Sequence, residues 1–335
     1  LRKAVLRYLG CPGCRSELVV KEKGRYRGDI RSGTLVCENC GQEYPVAAGR
    51  PVLLRKNVLN EWTSPVSEAM GINDYRTIDQ SIKELFSFGE KRAIELVHER
   101  DQVNAEVFES LKSIPRSVVG KMKYRESGKW IEAGNRRARL LSFPWKAGDN
   151  KDSFNIFMQR IASTKPDSIL DIASGGGFAV SHQAFVNTKV KQILAVERDL
   201  KSLGNIQYRF KYIGSESRSE AVGGDVRNLP VRTEVIDTAM MLAALPEISG
   251  VTLMIREVFR VLKEGGAFVL LVPEDPVVPE LRTDAEFGKF AAKADLYAGH
   301  EKFEYDSELQ GFRVESSKRY EGRQGGKRRL ISLKK

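Results

Sequence analysis

Four cysteines and one glycine-rich turn are the places where this sequence could do chemistry. Cys11-Pro-Gly-Cys14 and Cys37-Glu-Asn-Cys40 form two C-x-x-C knuckles separated by 22 residues, and no cysteine occurs elsewhere. Two residues between partners let both sulfurs of a knuckle reach one ion. Four thiolates then close a tetrahedral zinc shell with no open position, the mark of a structural site. The spacing predicts Zn2+ on Cys11, Cys14, Cys37 and Cys40 rather than a disulfide framework, in which cysteines spread through a secreted chain. An iron–sulfur cluster or a redox dithiol is the alternative for the same four residues.

The turn is LDIASGGGF, Leu170 to Phe178, between an apolar run and a helical one. Gly175 and Gly177 let the backbone bend sharply and approach a ligand, and a helix start beyond them presents unsatisfied N–H groups. A dinucleotide fold uses such a turn too, but the spacing here is not G-x-G-x-x-G, because Val180 stands at the last small position. Asp171 before the glycines suits the amino group of a methionine moiety and would repel a pyrophosphate.

Three further segments, AVERD, GGDVRNLPV and REVFRVLKEGGAFVLL, follow in order. With the turn, they resemble the class I S-adenosylmethionine-dependent methyltransferases, particularly the broad type 11 group, over residues 152 to 335. The resemblance implies a Rossmann-like, seven-stranded α/β sheet, mostly parallel with the last strand antiparallel. It implies that Glu197 accepts from the ribose hydroxyls and Asp225 from the adenine amino group, with Val226 supplying a backbone N–H. Asp171 and the backbone near Ala173, Gly175 and Gly177 would hold the methionine end. The family usually has glycine where this chain has Ala173, which tightens the loop. The segments CPGCRSEL and TLVCENCGQEYPVAAGRPVLL resemble a zinc-ribbon module, including the small activator subunit of tRNA, rRNA and release-factor methyltransferases; a comparable zinc site opens some rRNA guanine methyltransferases.

The methyl acceptor is narrowed by exclusion. Pyrimidine-carbon methylation usually needs a cysteine nucleophile, and the C-terminal half has none. Exocyclic-amino transfer usually brings an Asn/Asp-Pro-Pro-aromatic loop, absent from MMLAALPEI, Met240 to Ile248. Ring nitrogen, oxygen and small-molecule carbon stay open, since such transfers can rest on proximity. Of the three histidines, His300 in AGHEKFEYDSEL matches a histidine of the type 11 group and is the candidate base or orienting group, against a packing role. His98 and His182 are not read as bases.

The elements that must position these residues divide into three regions. Residues 1–56 form the zinc ribbon, 57–150 a helical and then basic segment, and 151–335 the methyltransferase domain. In the last, SILDIA, KQILAVE, EAVGGD, VIDTAMML and GAFVLLVP read as strands, and GFRVESS with RRLISLKK as a terminal antiparallel pair. Val251, Met254, Ile255, Val258, Phe259 and Leu262 recur at helical spacing and predict a helix that ends at Gly265–Gly266.

The chain has 335 residues, 41% of them hydrophobic, and a net charge of +11, enough for a core and a basic excess that attracts phosphates. The cations concentrate in the middle segment, where Lys121, Lys123, Arg125, Arg136, Arg137 and Arg139 alternate with Trp130 and Trp145. Cations suit phosphates and aromatic rings suit stacked bases, so this segment is the candidate contact for RNA or another polyanion. The competing role is a solvated insert. The functions expected are methylation of RNA (rRNA or tRNA), methylation of a small molecule such as a quinone, lipid or metabolite, or a non-catalytic, cofactor-binding assembly role on RNA. No apolar run approaches the roughly 20 residues that span a bilayer, and LRKAVLRYLGCPGC is too quickly polar for a secretory signal. The expectation is a cytoplasmic protein with no membrane partner.

Overall fold

The computed structural model describes residues 1–26, 29–47, 49–54, 151–198, 200–274, 297, 299–321 and 327–335. Elements are numbered among these residues. A 3-10 turn, Lys3–Tyr8, precedes β1 (Leu18–Tyr26), β2 (Asp29–Cys37), β3 (Glu43–Ala47) and β4 (Arg50–Leu53). Then come α1 (Lys151–Ser163), β5 (Ser168–Ile172), α2 (Phe178–Val186), β6 (Gln192–Glu197), α3 (Leu200–Tyr212) and β7 (Ser219–Gly224). After β8 (Ile236–Leu242) follow α4 (Val251–Val261), β9 (Leu262–Pro273), α5 (His300–Gln310), β10 (Arg313–Glu321) and β11 (Lys327–Lys334).

The strands form one sheet in the order β1-β2-β3-β4-β7-β6-β5-β8-β9-β11-β10. From β7 to β10 this is the expected seven-stranded unit, parallel except where β11 runs antiparallel to both β9 and β10. β5 and β7 are buried along their whole length and β6 up to its last residue, Glu197, which is why they read as continuous apolar runs rather than alternating ones. The eleven-strand count exceeds the expected seven because the four ribbon strands prolong the sheet. β4 pairs in parallel with β7, Val52 opposite Gly223 and Leu53 opposite Gly224.

That junction depends on small residues. A Cβ on Gly223 would stand 3.1 Å from Val52 Cα, and one on Gly224 would meet the Pro230 ring at 2.7 Å. Farther along, Leu9 bridges Val231, the Gly10 N–H donates to the Pro230 carbonyl at 3.2 Å, and the Arg232 N–H to that of Tyr8 at 2.8 Å. Arg15 pairs with the buried Glu257 of α4 at 3.0 Å. Leu9, Leu35, Tyr44 and Leu53 share one hydrophobic cluster with Leu170, Val196, Val222 and Val258. The ribbon and the α/β unit are therefore stabilised by the same buried surface.

α4 is shorter than its apolar spacing predicts. It ends at Val261, and Leu262 is already extended (ψ 137) and pairs with Ile236. Leu262 to Gly266 belong to the long strand β9, where the Gly265 N–H reaches the Lys335 carbonyl at 3.2 Å. Pairing on both flanks outweighs the local helical pattern. The terminal antiparallel pair is present as β10 and β11. Among the described residues no helix is long and apolar enough to cross a membrane.

Candidate functional site

Strand order reverses between β5 and β8, the place where an open α/β sheet leaves a crevice at its strand C-termini. Three acids stand there on neighbouring strands: Asp171 near the end of β5, Glu197 closing β6, and Asp225 just past β7. Asp171 is 2% exposed, and its Oδ2 has no hydrogen-bond partner among the described residues. Burial pushes its carboxyl well above the usual range; the Ser174 hydroxyl opposes this and the charge of Glu197 adds to it. An acid left so is costly unless a cation completes it.

The turn beyond β5 is held in left-handed backbone conformations at Ala173 (φ 53), Gly175 (φ 51) and Gly177 (φ 77). The two glycines do different things. A Cβ on Gly177 would press on Ile206 of α3, 2.6 Å from its Cγ1, so this glycine lets α3 approach. Among the described residues a Cβ on Gly175 would meet nothing within 4 Å, so that backbone leaves room where a ligand could lie. The Gly175 N–H donates to Glu197 Oε2 at 2.7 Å, and the Arg198 N–H to Oε1 at 2.7 Å. Glu197 thus clamps the turn while remaining partly exposed.

Asp225 is buried and gripped by Arg227. The Arg227 Nη2 lies 2.7 Å from Oδ2, and its backbone N–H donates to Oδ1 at 2.8 Å. Val226, next to it, packs partly against the core. Nothing in the sequence singles out Arg227; its signal is only that a cation two residues from a strand-end acid can fold back on it. Ala243, at the tip of β8, is a second unforeseen feature. It is left-handed (φ 60), with its N–H on the Leu271 carbonyl at 2.8 Å, a strained backbone position on the crevice rim.

His300 begins α5. Because β10 runs parallel to β9, the short link from α5 to β10 sets the start of α5 on the crevice edge of the sheet. His182 sits on α2 against Phe154, ring edge to face at 5.7 Å, and burial pushes its imidazole down to about 4. His98, Lys121, Lys123, Arg125, Trp130, Arg136, Arg137, Arg139 and Trp145 lie outside the described residues.

The cysteines converge. All four sulfurs lie within 4.8 Å of one another, with Cys11–Cys40 at 3.6 Å and Cys14–Cys37 at 3.3 Å. A tetrahedral zinc with bonds of about 2.3 Å needs sulfurs about 3.8 Å apart, so the set fits one ion. The buried Tyr44 hydroxyl is 3.3 Å from Cys11 Sγ, within reach of the metal ligand it would steady. Hydrogen bonds, chiefly from Ser16 and then Asn39, pull the Cys14 thiol down to about 5. The Gln42 amide favours the Cys40 thiolate too, yet burial and the neighbouring cysteines push Cys40 up to about 12. Four thiolates in this space require a cation among them.

Residues 170–270 match a family model described as a methyltransferase domain, and residues 2–49 match one described as Trm112p-like protein. No curated protein matches the chain. Among solved structures it is similar to a SAM-dependent methyltransferase from Aquifex aeolicus, at 14% identity over 62% of this chain and 97% of that one, TM-score 0.43. It is also similar to the YcgJ protein of Bacillus subtilis, at 15% identity over 55% and 98%, TM-score 0.44. A third is phosphoethanolamine N-methyltransferase 2 of Haemonchus contortus, solved with S-adenosylhomocysteine, at 14% identity over 58% and 42%, TM-score 0.41. With the sheet order and the cysteine cluster, the two matches mark residues 170–270 as a methyltransferase domain and residues 2–49 as a Trm112p-like module whose four cysteines can hold one zinc.

Proposed function

We propose that this chain methylates RNA with S-adenosylmethionine bound in the crevice at the tips of β5, β6 and β7. The observation that carries the cofactor assignment is Asp171, a buried carboxylate whose Oδ2 has no partner among the described residues, beside a glycine turn where a Cβ on Gly175 would meet none of them within 4 Å. A cationic amino group completes that acid, as no phosphate could. Glu197 would take the ribose hydroxyls, Asp225 the adenine amino group, and Val226 would offer its N–H to the ring. Asp171 and the backbone of Ala173, Gly175 and Gly177 would hold the methionine end. The cofactor supplies an electrophilic methyl group. The chain supplies position and exclusion of water, with His300 as the candidate group that orients the acceptor.

The RNA assignment is supported by the net charge of +11 and by where the basic segment is attached. β4 ends beside Gly224 at the crevice edge. α1 begins there too, with Phe154 5.4 Å from Phe178, the first residue of α2. Residues 55–150 thus leave and rejoin the described structure on the side where substrate must enter. One observation favours a small-molecule acceptor instead: part of the cationic charge of the C-terminal strands β10 and β11 is paired within the protein. Arg319 and Arg329 pair with Glu274, and Lys335 pairs with Glu234.

The deciding experiment incubates the protein and methyl-labelled cofactor separately with total RNA and with a small-molecule extract. Label is expected in RNA, falling with added salt and lost in Asp171→Ala. Label confined to the small-molecule extract overturns the RNA assignment. No label in either leaves the non-catalytic, cofactor-binding role.

A further inference from the structure

Arg227 is the side chain that fixes Asp225. Its Nε lies 3.1 and 3.2 Å from Oδ1 and Oδ2, its Nη2 2.7 Å from Oδ2, and its backbone N–H donates to Oδ1 at 2.8 Å. The two side chains are only 11% and 7% exposed. The Arg227 stem lies on Gly250, the left-handed residue before α4, where a Cβ would come within 3.1 Å of its Cδ. One guanidinium thus orients the carboxylate while its stem ties the tip of β7 to the loop that opens α4.

We propose that Arg227 is a positioning residue that makes the site select a purine with an exocyclic amino group. The inference rests on the reading that Asp225 faces the adenine ring. Three N–H donors of Arg227, the Nε–H shared between both oxygens, fill most of the roughly four acceptor sites of the carboxylate and leave about one for a ligand. A carboxylate held in this way accepts and does not donate. An adenine amino group can bond to it; the carbonyl of hypoxanthine would set acceptor against acceptor. Without Arg227 the carboxylate loses the fork that fixes its plane and can turn away from the ring. Its free acceptor then no longer stands against one fixed atom of the base, and the preference shrinks.

The experiment is calorimetric binding of S-adenosylhomocysteine and S-inosylhomocysteine to the full chain and to Arg227→Met and Arg227→Lys. The unaltered protein is expected to prefer the adenosyl ligand by about 30-fold or more, as for a site that leaves a polar group unpaired with the wrong ligand. In Arg227→Met the adenosyl affinity falls about tenfold while the inosyl affinity holds or rises, so the ratio shrinks to within about threefold. Arg227→Lys keeps the charge without the fork and falls between. If both ligands weaken by the same factor, or the ratio is unchanged, Arg227 is only packing and the proposal fails. Should the Met variant not fold, the ratio in the Lys variant decides in the same way. If the unaltered protein binds neither ligand, the cofactor assignment itself falls, a result distinct from an unchanged ratio.

Discussion

The cysteine knuckles and the acid crevice lie in one sheet and solve opposite problems. In the knuckles, every group that could bind a ligand is aimed at its neighbours: four sulfurs within 4.8 Å and a buried tyrosine hydroxyl beside them. No position is left for a substrate, so the site's free energy goes into the fold. In the crevice, among the described residues, Asp171 has a buried oxygen with no partner and a Cβ on Gly175 would meet nothing within 4 Å. That site stores an unsatisfied charge for a ligand to complete. The first should fail by unfolding, and the second by losing a ligand while the fold stays or improves.

The largest effect is expected from metal removal. Because the ribbon shares its core with the α/β unit and β4 is paired to β7, stripping the zinc or making Cys37→Ser should destabilise both. A fall in Tm of roughly 10 °C is expected, the shift that about 4 kcal/mol gives a domain this size. Amide exchange should quicken in Ala221 to Gly224 as well as around the knuckles. If the β7 amides keep their protection after chelation, the ribbon is an appendage and not part of the common core.

Asp171→Asn should act in the opposite sense. Burial raises the Asp171 carboxyl well above its usual value, so the folded protein holds a proton that the unfolded chain releases. This penalty is absent at pH below about 4 and grows as pH rises toward the raised folded value. Removing the charge should stabilise the ligand-free protein at pH 7 by about 1–2 kcal/mol and weaken cofactor binding by roughly 100-fold, the worth of a charge-assisted hydrogen bond. In the unaltered protein, binding a cationic amino group should release a proton and tighten as pH rises through the Asp171 titration. Calorimetry in buffers of different ionisation enthalpy measures that proton. No release, or a less stable Asp171→Asn, would count against a stored charge.

Gly175 and Gly177 repeat the contrast two residues apart. Gly177→Ala brings a methyl to 2.6 Å from Ile206 and, at φ 77, is strained besides; a loss of about 2–3 kcal/mol of stability is expected. Gly175→Ala meets no atom, so it should cost only about 1 kcal/mol of backbone strain yet weaken the cofactor, because its methyl enters the ligand's space. Melting and binding measured on both variants should separate them; parallel losses on both scales would erase the division of roles.

Much of this was legible before any coordinates. The knuckle spacing, the five apolar strands and the acids at their ends are local patterns, and local patterns survive in a linear reading. The β4–β7 pairing is not local: it joins residues more than 150 positions apart, and its trace in the sequence is the Gly223–Gly224 pair. The end of α4 was misleading because Leu262 continues the helical spacing while its backbone pairs with Ile236. Arg227 was invisible for a different reason. A cation near an acid is common on any surface, and only burial turns it into a fixed clamp.

The smallest expected effect concerns Ala173, where the family usually has glycine. Its φ of 53 costs an L-residue roughly 1–2 kcal/mol, whereas glycine there gives back about 0.5–1 kcal/mol through the freedom it gains in the unfolded chain. Ala173→Gly should therefore stabilise the ligand-free protein by only about 0.5 kcal/mol. Its effect on the crevice should be larger in sign than in size. The alanine narrows the backbone choices of the turn that Glu197 clamps through Gly175, and a glycine widens them, so more ordering falls to the ligand. Cofactor affinity is expected to drop by about twofold while stability rises, the same opposition that Asp171→Asn shows at greater scale. Urea melts and titration on the one variant read both quantities, and a gain in both would mean that Ala173 strains the turn without shaping it.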